Sequence, residues 1–308
     1  MMTEFWWFFD ALVLLIVGGI VISNAKKGLT KVFIICIGYL VATIVATFCS
    51  GAAADALYEV TARPSNIDSI QEINASFDVA QCFMDAIDER NYGAILSKQS
   101  IEDMLAAPNT VKFDSNLLSY VNRLTGYEVC SQVEFKQILT DAFIEDYGGA
   151  LSEKLPSYVP ANLKQQMSEN PALINTLLEK FYQPDVVSDD SVEEENAEFV
   201  EDHFGAEPST ECFRIFIYII FFSVVMMIAG ITSSAMKYRL FFNVRSGTEH
   251  FLGAMLGFIE AAAILIILTM LVRLCILIGG GEFLIFNDDV IQKSHIYKII
   301  YTQLDILM

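Results

Sequence analysis

The stretch from Ser246 to Val272, SGTEHFLGAMLGFIEAAAILIILTMLV, constrains the fold more than any other part of the chain. A polar turn, with Thr248 placed to cap a helix, leads into a nearly unbroken apolar run. As a helix that run is long enough to cross the hydrocarbon core of a bilayer. Gly253, Gly257 and Ala261 recur at every fourth position and give one side a smooth strip on which a second helix can approach closely. Glu260, seven residues after Gly253, falls about two turns further along and beside that strip. A carboxyl group at such depth is costly, which makes this helix more than a tether.

The remaining composition averages two kinds of segment. The 308 residues are 54% hydrophobic, too oily for an ordinary soluble domain, yet the net charge is −19. Residues 51–211 hold 30 of the 38 acidic residues and nine of the 19 bases, so the acidity belongs to one middle block. Hydropathy predicts four spans, Phe5–Ser23, Val32–Cys49, Ile215–Ala235 and Phe251–Val272, of 18 to 22 residues each. At the rise of an α-helix these reach roughly 27–33 Å. The first has Glu4 ahead of it and its lysines behind it, the reverse of a cleavable signal peptide, and is expected to be retained.

The resulting expectation is an all-α, polytopic membrane protein: four transmembrane helices with a small helical extracytoplasmic domain inserted between the second and third. The segments are 1–56 (spans one and two), 57–182 (helical domain), 183–211 (acidic linker), 212–278 (spans three and four) and 279–308 (an amphipathic extracytoplasmic tail). Two loops set the orientation. One carries Lys26, Lys27 and Lys31 with no acid; the other carries Lys237, Arg239 and Arg245 against Glu249. The positive-inside rule places both in the cytoplasm, and therefore both termini and residues 51–211 outside a cell (inner or plasma) membrane. Asp10, Arg214 and Arg273 then fall at a similar depth near the outer surface, where they either pair with one another or snorkel separately to headgroups.

Within the middle block, Pro64 is expected to break the helical run that leaves span two. From Asn66 to Tyr182 an amphipathic pattern predicts four to six helices, including one with Pro171 in its first turn, punctuated at Asn109/Thr110, Gly126, Gly148/Gly149 and Pro156/Pro160. The run IDSIQEINASFDVAQCFMDAI keeps Ile70, Ile73, Phe77, Val79, Ala80 and Met84 near helical spacing. Residues 183–211 are dense in Asp and Glu and read as a solvated, mobile linker with one short helix at most. The tail's apolar set, with Val290, Ile291, Ile296, Ile300 and Leu304 among it, is too short and too charged to span. It is expected on the outer surface or against the helical domain.

Three local patterns resemble the colicin V production protein family of four-span bacterial inner-membrane proteins. They are Phe9-Asp10 followed by Lys26-Lys27-Gly28-Leu29; Ser246-Gly247-Thr248-Glu249-His250 leading into Gly253 and Gly257; and Ser294-His295-Ile296 in the tail. The likeness covers roughly residues 5–60 and 212–305 and leaves the middle block as an insertion. The family commonly has Asp-Arg where Glu249-His250 stand, and a basic residue with Gly where Glu260-Ala261 stand, so no role of a basic residue transfers to Glu260. The resemblance implies an accessory or scaffold part in toxin production or export, or in cell-envelope maintenance.

Chemistry is otherwise sparse. No H-E-x-x-H, G-x-S-x-G or phosphate-cradling glycine loop occurs, and the six cysteines and three histidines form no ligand spacing. No enzyme activity, cofactor, metal or nucleic-acid partner is expected. Glu260 is either a proton or cation site or an acid bonded to Thr43 or Ser223 for packing alone. Gly18 and Gly19 are candidate partners for the strip at Gly253, Gly257 and Ala261, which packs within one chain or between copies. Three readings follow: an envelope scaffold whose partner is a membrane or envelope protein; an oligomeric proton- or cation-linked transporter or channel component using Glu260; and a receptor whose outer domain binds a ligand. The bilayer is a partner in all three.

Overall fold

Every element in the computed structural model is helical, and the structure describes residues 5–27, 29–106, 112–182, 190–236, 246–279 and 285–307. The chain divides into two compact units, Met1–Glu59 with Thr210–Met308, and Val60–Ser209.

The first unit contains α1 (Trp6–Lys27), α2 (Leu29–Leu57), α11 (Ala206–Met236), α12 (Ser246–Ile278) and the tail helices α13 (Asp288–Lys293) and α14 (Tyr297–Leu307). Its four long helices are apolar and long enough to cross a membrane. They carry exposed Leu15, Phe48, Ile228 and Ile231, side chains that only lipid or another apolar surface would cover favourably. α12 is the hub, packed most extensively on α1, then on α2 and α14. Ala42 and Ala46 of α2, Tyr218 and Phe222 of α11, and Ala263 and Met270 of α12 form one buried cluster. α2 and α11 approach closely where Gly38 faces Ala229: a Cβ added at Gly38 would lie 2.5 Å from the alanine methyl. The expectation that α12 is capped by Thr248 is corrected, since the helix already begins at Ser246.

The second unit contains α3 (Arg63–Ser76), α4 (Val79–Glu89), α5 (Lys98–Leu105), α6 (Phe113–Thr125), α7 (Gln132–Lys154), α8 (Tyr158–Glu169), α9 (Pro171–Phe181) and α10 (Asp190–Val200); α3 to α9 fall in the stretch for which four to six helices were expected. α7 is its axis. Phe135, Leu139, Phe143, Tyr147 and Leu151 recur every fourth residue and are all fully buried, the one-faced stripe of a core helix. Phe77 and Phe181 meet Phe143, Tyr147 and each other edge to face with centroids 5.0 to 6.0 Å apart, while Phe143 and Tyr147 stack at 5.3 Å, geometries that aromatic quadrupoles favour.

Four expectations are revised here. Pro64 does not stop the helical run, because a π-helical turn at Tyr58–Ala62 precedes it and the proline takes the first turn of α3, where a missing N–H is tolerated. The run from Asn66 onward instead divides at Phe77–Asp78, where Asp78 accepts from Gln81 N–H at 2.9 Å and caps α4. Gly148 and Gly149 lie inside α7; a Cβ at Gly148 would make ordinary van der Waals contact with Lys164 Cε and Pro160 Cβ of α8, at 3.8 and 4.0 Å.

The acidic segment is the largest revision. Residues 190–205 form α10 and a second π-helical turn, Glu201–Gly205, and Ala197, Val200 and Phe204 are fully buried in the core of the unit. These three apolar residues at helical spacing outweigh the carboxylates, of which Glu201 is buried with them and hydrogen-bonded to Asn66. Residues 183–189 and the punctuation at Asn109/Thr110 lie outside the described residues.

Candidate functional site along the first helix

α1 brings together, at its two ends, residues far apart in sequence. Its beginning holds the tail. The Asp10 carboxylate accepts from the backbone N–H groups of His295 (2.8 Å), Ile296 (2.8 Å) and Tyr297 (3.0 Å). Ser294 Oγ accepts from Lys298 N–H at 2.9 Å, so the donors left over at the start of α14 are satisfied in sequence. Phe9, fully buried, stacks on Tyr297 at 4.8 Å, and Trp6 meets His295 edge-on at 5.0 Å. Burial pushes the Tyr297 phenol up to about 12. The first and third family-like patterns are thus two halves of one helix cap.

The arginines at this end are paired otherwise than expected. Arg273 forms a close ion pair with Glu211, and its guanidinium lies 5.9 Å from the Tyr301 ring. Arg214 is 4.0 Å from Asp55. Mutual pairing among Asp10, Arg214 and Arg273 is therefore corrected, because nearer carboxylates on α2 and α11 take the guanidinium groups and backbone N–H groups take Asp10. Tyr301 donates to Asp288 at 2.9 Å; burial first, then that carboxylate, moves its phenol far above the usual range.

The other end of α1 meets α12. Asn24, 1% exposed, donates from Nδ2 to Glu260 Oε2 at 2.6 Å, and its Oδ1 accepts from Lys27 Nζ at 3.4 Å. The amide therefore bridges an ammonium and a carboxylate. Cys36 and Tyr39 of α2 lie within electrostatic range of the same carboxylate. His250 Nδ1 and Ala25 O are 2.7 Å apart, and Cys36 Sγ is 3.7 Å from Leu256 O. Glu260 is thus not bonded to Thr43, whose hydroxyl donates to Tyr39 O of its own helix at 2.9 Å, and the carboxylate is linked to Lys27 through the Asn24 amide.

On the small-residue strip, the close approach is at Gly257. A Cβ at Gly257 would lie 2.9 Å from Val21 Cα and 3.3 Å from Asn24 Cβ. Gly253 and Ala261 are buried on the same side. At Gly18 and Gly19 a Cβ would meet nothing within 4 Å, so they are not the close-approach partners. Gly247 is likewise open, Glu249 lies in the first turn of α12, and Gly28 falls outside the described residues. Asn24, Asp55 and Glu211 were missed in the sequence. A polar residue directly after the last residue of an apolar span was the available signal for Asn24.

The second unit has its own buried carboxylate. Glu201, fully buried in the π-helical turn, accepts from Asn66 Nδ2 at 2.9 Å, and a Cβ at Gly205 would run into it. Arg63 pairs with the neighbouring Asp202 at 3.0 Å. Among the described residues no group of three or more His, Cys, Asp or Glu is placed to hold a metal ion. Compared with family models, with curated proteins and with solved structures, the chain gives no match.

Proposed function

We propose that the protein is a multi-pass scaffold of the cell membrane, displaying residues 60–209 on the extracytoplasmic side to bind an envelope or membrane protein. The observation that supports this reading is the use made of the polar groups in the long helices. Asp10 caps the tail, Arg273 and Arg214 join carboxylates, and Asn24 engages Glu260. Each is spent on fixing one helix to another, which is what a rigid display platform requires. The second unit supplies a separately cored body with eight helices for the partner to contact. In this reading the chain is not an enzyme, and the part it plays in toxin production or envelope maintenance is that of an accessory subunit.

Photo-crosslinking from exposed positions of the helical unit in intact cells tests the proposal. Discrete adducts with a membrane or wall-associated protein support it. Adducts with small solutes alone, or full function after removal of residues 60–209, overturn it.

A second reading, a proton- or cation-linked transport component, is favoured by the Asn24–Glu260 contact, a polar pair between two apolar helices. Glu260→Gln keeps the shape and the hydrogen bond, so unchanged function in that variant removes the second reading.

A further inference from the structure

The C-terminal helices sit on an apolar seat and are fastened by a polar clasp. Val290, Ile291 and Tyr297 are fully buried against Phe9, Val13, Leu265, Val272 and Ile276 of α1 and α12. The clasp is different in kind. The bonds that Asp10 accepts from His295 and Ile296 lie at the surface of the bundle, and at the outer boundary expected for Asp10 water competes for both the carboxylate and the N–H groups. The tail also has its own internal tie, Tyr301 to Asp288, which fastens α14 to α13 and lets the pair move as one piece. Its outward side still carries apolar surface, with Ile299 62% exposed.

We propose that α13 and α14 are a reversible latch, closed by the Asp10 carboxylate, over the apolar seam between α1 and α12. A solvated clasp above a dry seat gives two discrete arrangements. In the closed one, a single carboxylate satisfies three N–H groups at the start of α14. In the open one, those groups are hydrated and the side chains of Phe9, Val13, Val272 and Ile276 are uncovered. Asp10 is a positioning residue here, acting through the backbone of residues 295–297. The inference is independent of the scaffold reading, because its test reads the tail alone.

The experiment uses the full chain in detergent micelles, with Ile291→Cys as a reporter, and counts maleimide additions by intact mass against the six native cysteines. With Asp10 present the reporter is protected. Asp10→Asn speeds its labelling at least about tenfold, the factor produced by losing about 1.4 kcal/mol of seating. Asp10→Glu retains most of the protection, and a disulfide between Trp6→Cys and His295→Cys restores it in the Asp10→Asn background. Labelling no faster in Asp10→Asn than with Asp10 overturns the latch. So does accelerated labelling of buried Cys36 in the same variant, which reports opening of the whole bundle rather than of the tail.

Discussion

Asn24 and Glu260, 236 positions apart in sequence, meet at 2.6 Å, and the same amide accepts from Lys27. The contact lies beside Gly257, where α1 and α12 approach closely, so packing and polarity reinforce each other at one crossing. Interhelical hydrogen bonds in membrane proteins contribute about 1 kcal/mol each. Asn24→Ala should therefore lower stability by about 1–2 kcal/mol, while Glu260→Gln should cost less than about 1 kcal/mol. In a double-mutant cycle read by thermal unfolding in detergent, the two positions should couple by at least about 0.5 kcal/mol. Additive losses would mean that the contact contributes nothing.

The crossing itself depends on a missing side chain. Gly257→Ala places a methyl 2.9 Å from Val21 Cα, against backbone that cannot move aside without shifting α1. Overpacking of this kind costs about 1–3 kcal/mol. Gly19→Ala, where a methyl meets nothing within 4 Å, should be neutral. Equal melting temperatures for the two variants would contradict the close approach.

Phe204 distinguishes a packed helix from a solvated linker. It is fully buried, and Phe→Ala in a core costs about 3–5 kcal/mol. Phe204→Ala should increase hydrogen exchange in α3 and α10 together, two of the elements against which the turn carrying it packs. Unchanged exchange in both would return the acidic segment to the status of a tether.

Acid should weaken the helical unit in part through Asp78. Burial raises this carboxyl, but the Lys98 ammonium and the Gln81 N–H outweigh it, and the net result is a lowered value. The folded value lies below the ordinary carboxylate value of about 3.9, so the contribution is present above that pH and is lost as pH falls through the folded value. The side chain is 45% exposed, and solvent screening limits the effect to below about 1 kcal/mol. Asp78→Asn should cost that much at neutral pH, with the difference from the unsubstituted protein closing as the medium is acidified. A difference that stays constant with pH would remove the ionic component and leave only the helix cap.

The four apolar helices were legible because their signal is cumulative: each candidate span repeats one property over 18 or more residues. Pair-specific features were not. Asp10 and Ser294 each stood out locally, yet nothing in either stretch says that a carboxylate at one end of the chain caps a helix at the other. α10 was hidden for a different reason. The three buried apolar side chains of α10 and the turn after it are interleaved with acidic residues, and composition averaged over the segment registers the charge before the spacing. Pro64 and Gly148 show the converse error, since residues that usually punctuate helices were absorbed, one after a π-helical turn and the other inside α7 where it faces α8.

Display of the helical unit on the outer side of a membrane is the claim on which the proposed function turns. Protease applied to sealed right-side-out cells, and separately to inverted vesicles, tests it most directly, with fragments assigned by mass. The account predicts cleavage within residues 60–209 from the outside and protection of that unit in inverted vesicles. Cleavage of the same unit in inverted vesicles alone would place it in the cytosol and contradict the account.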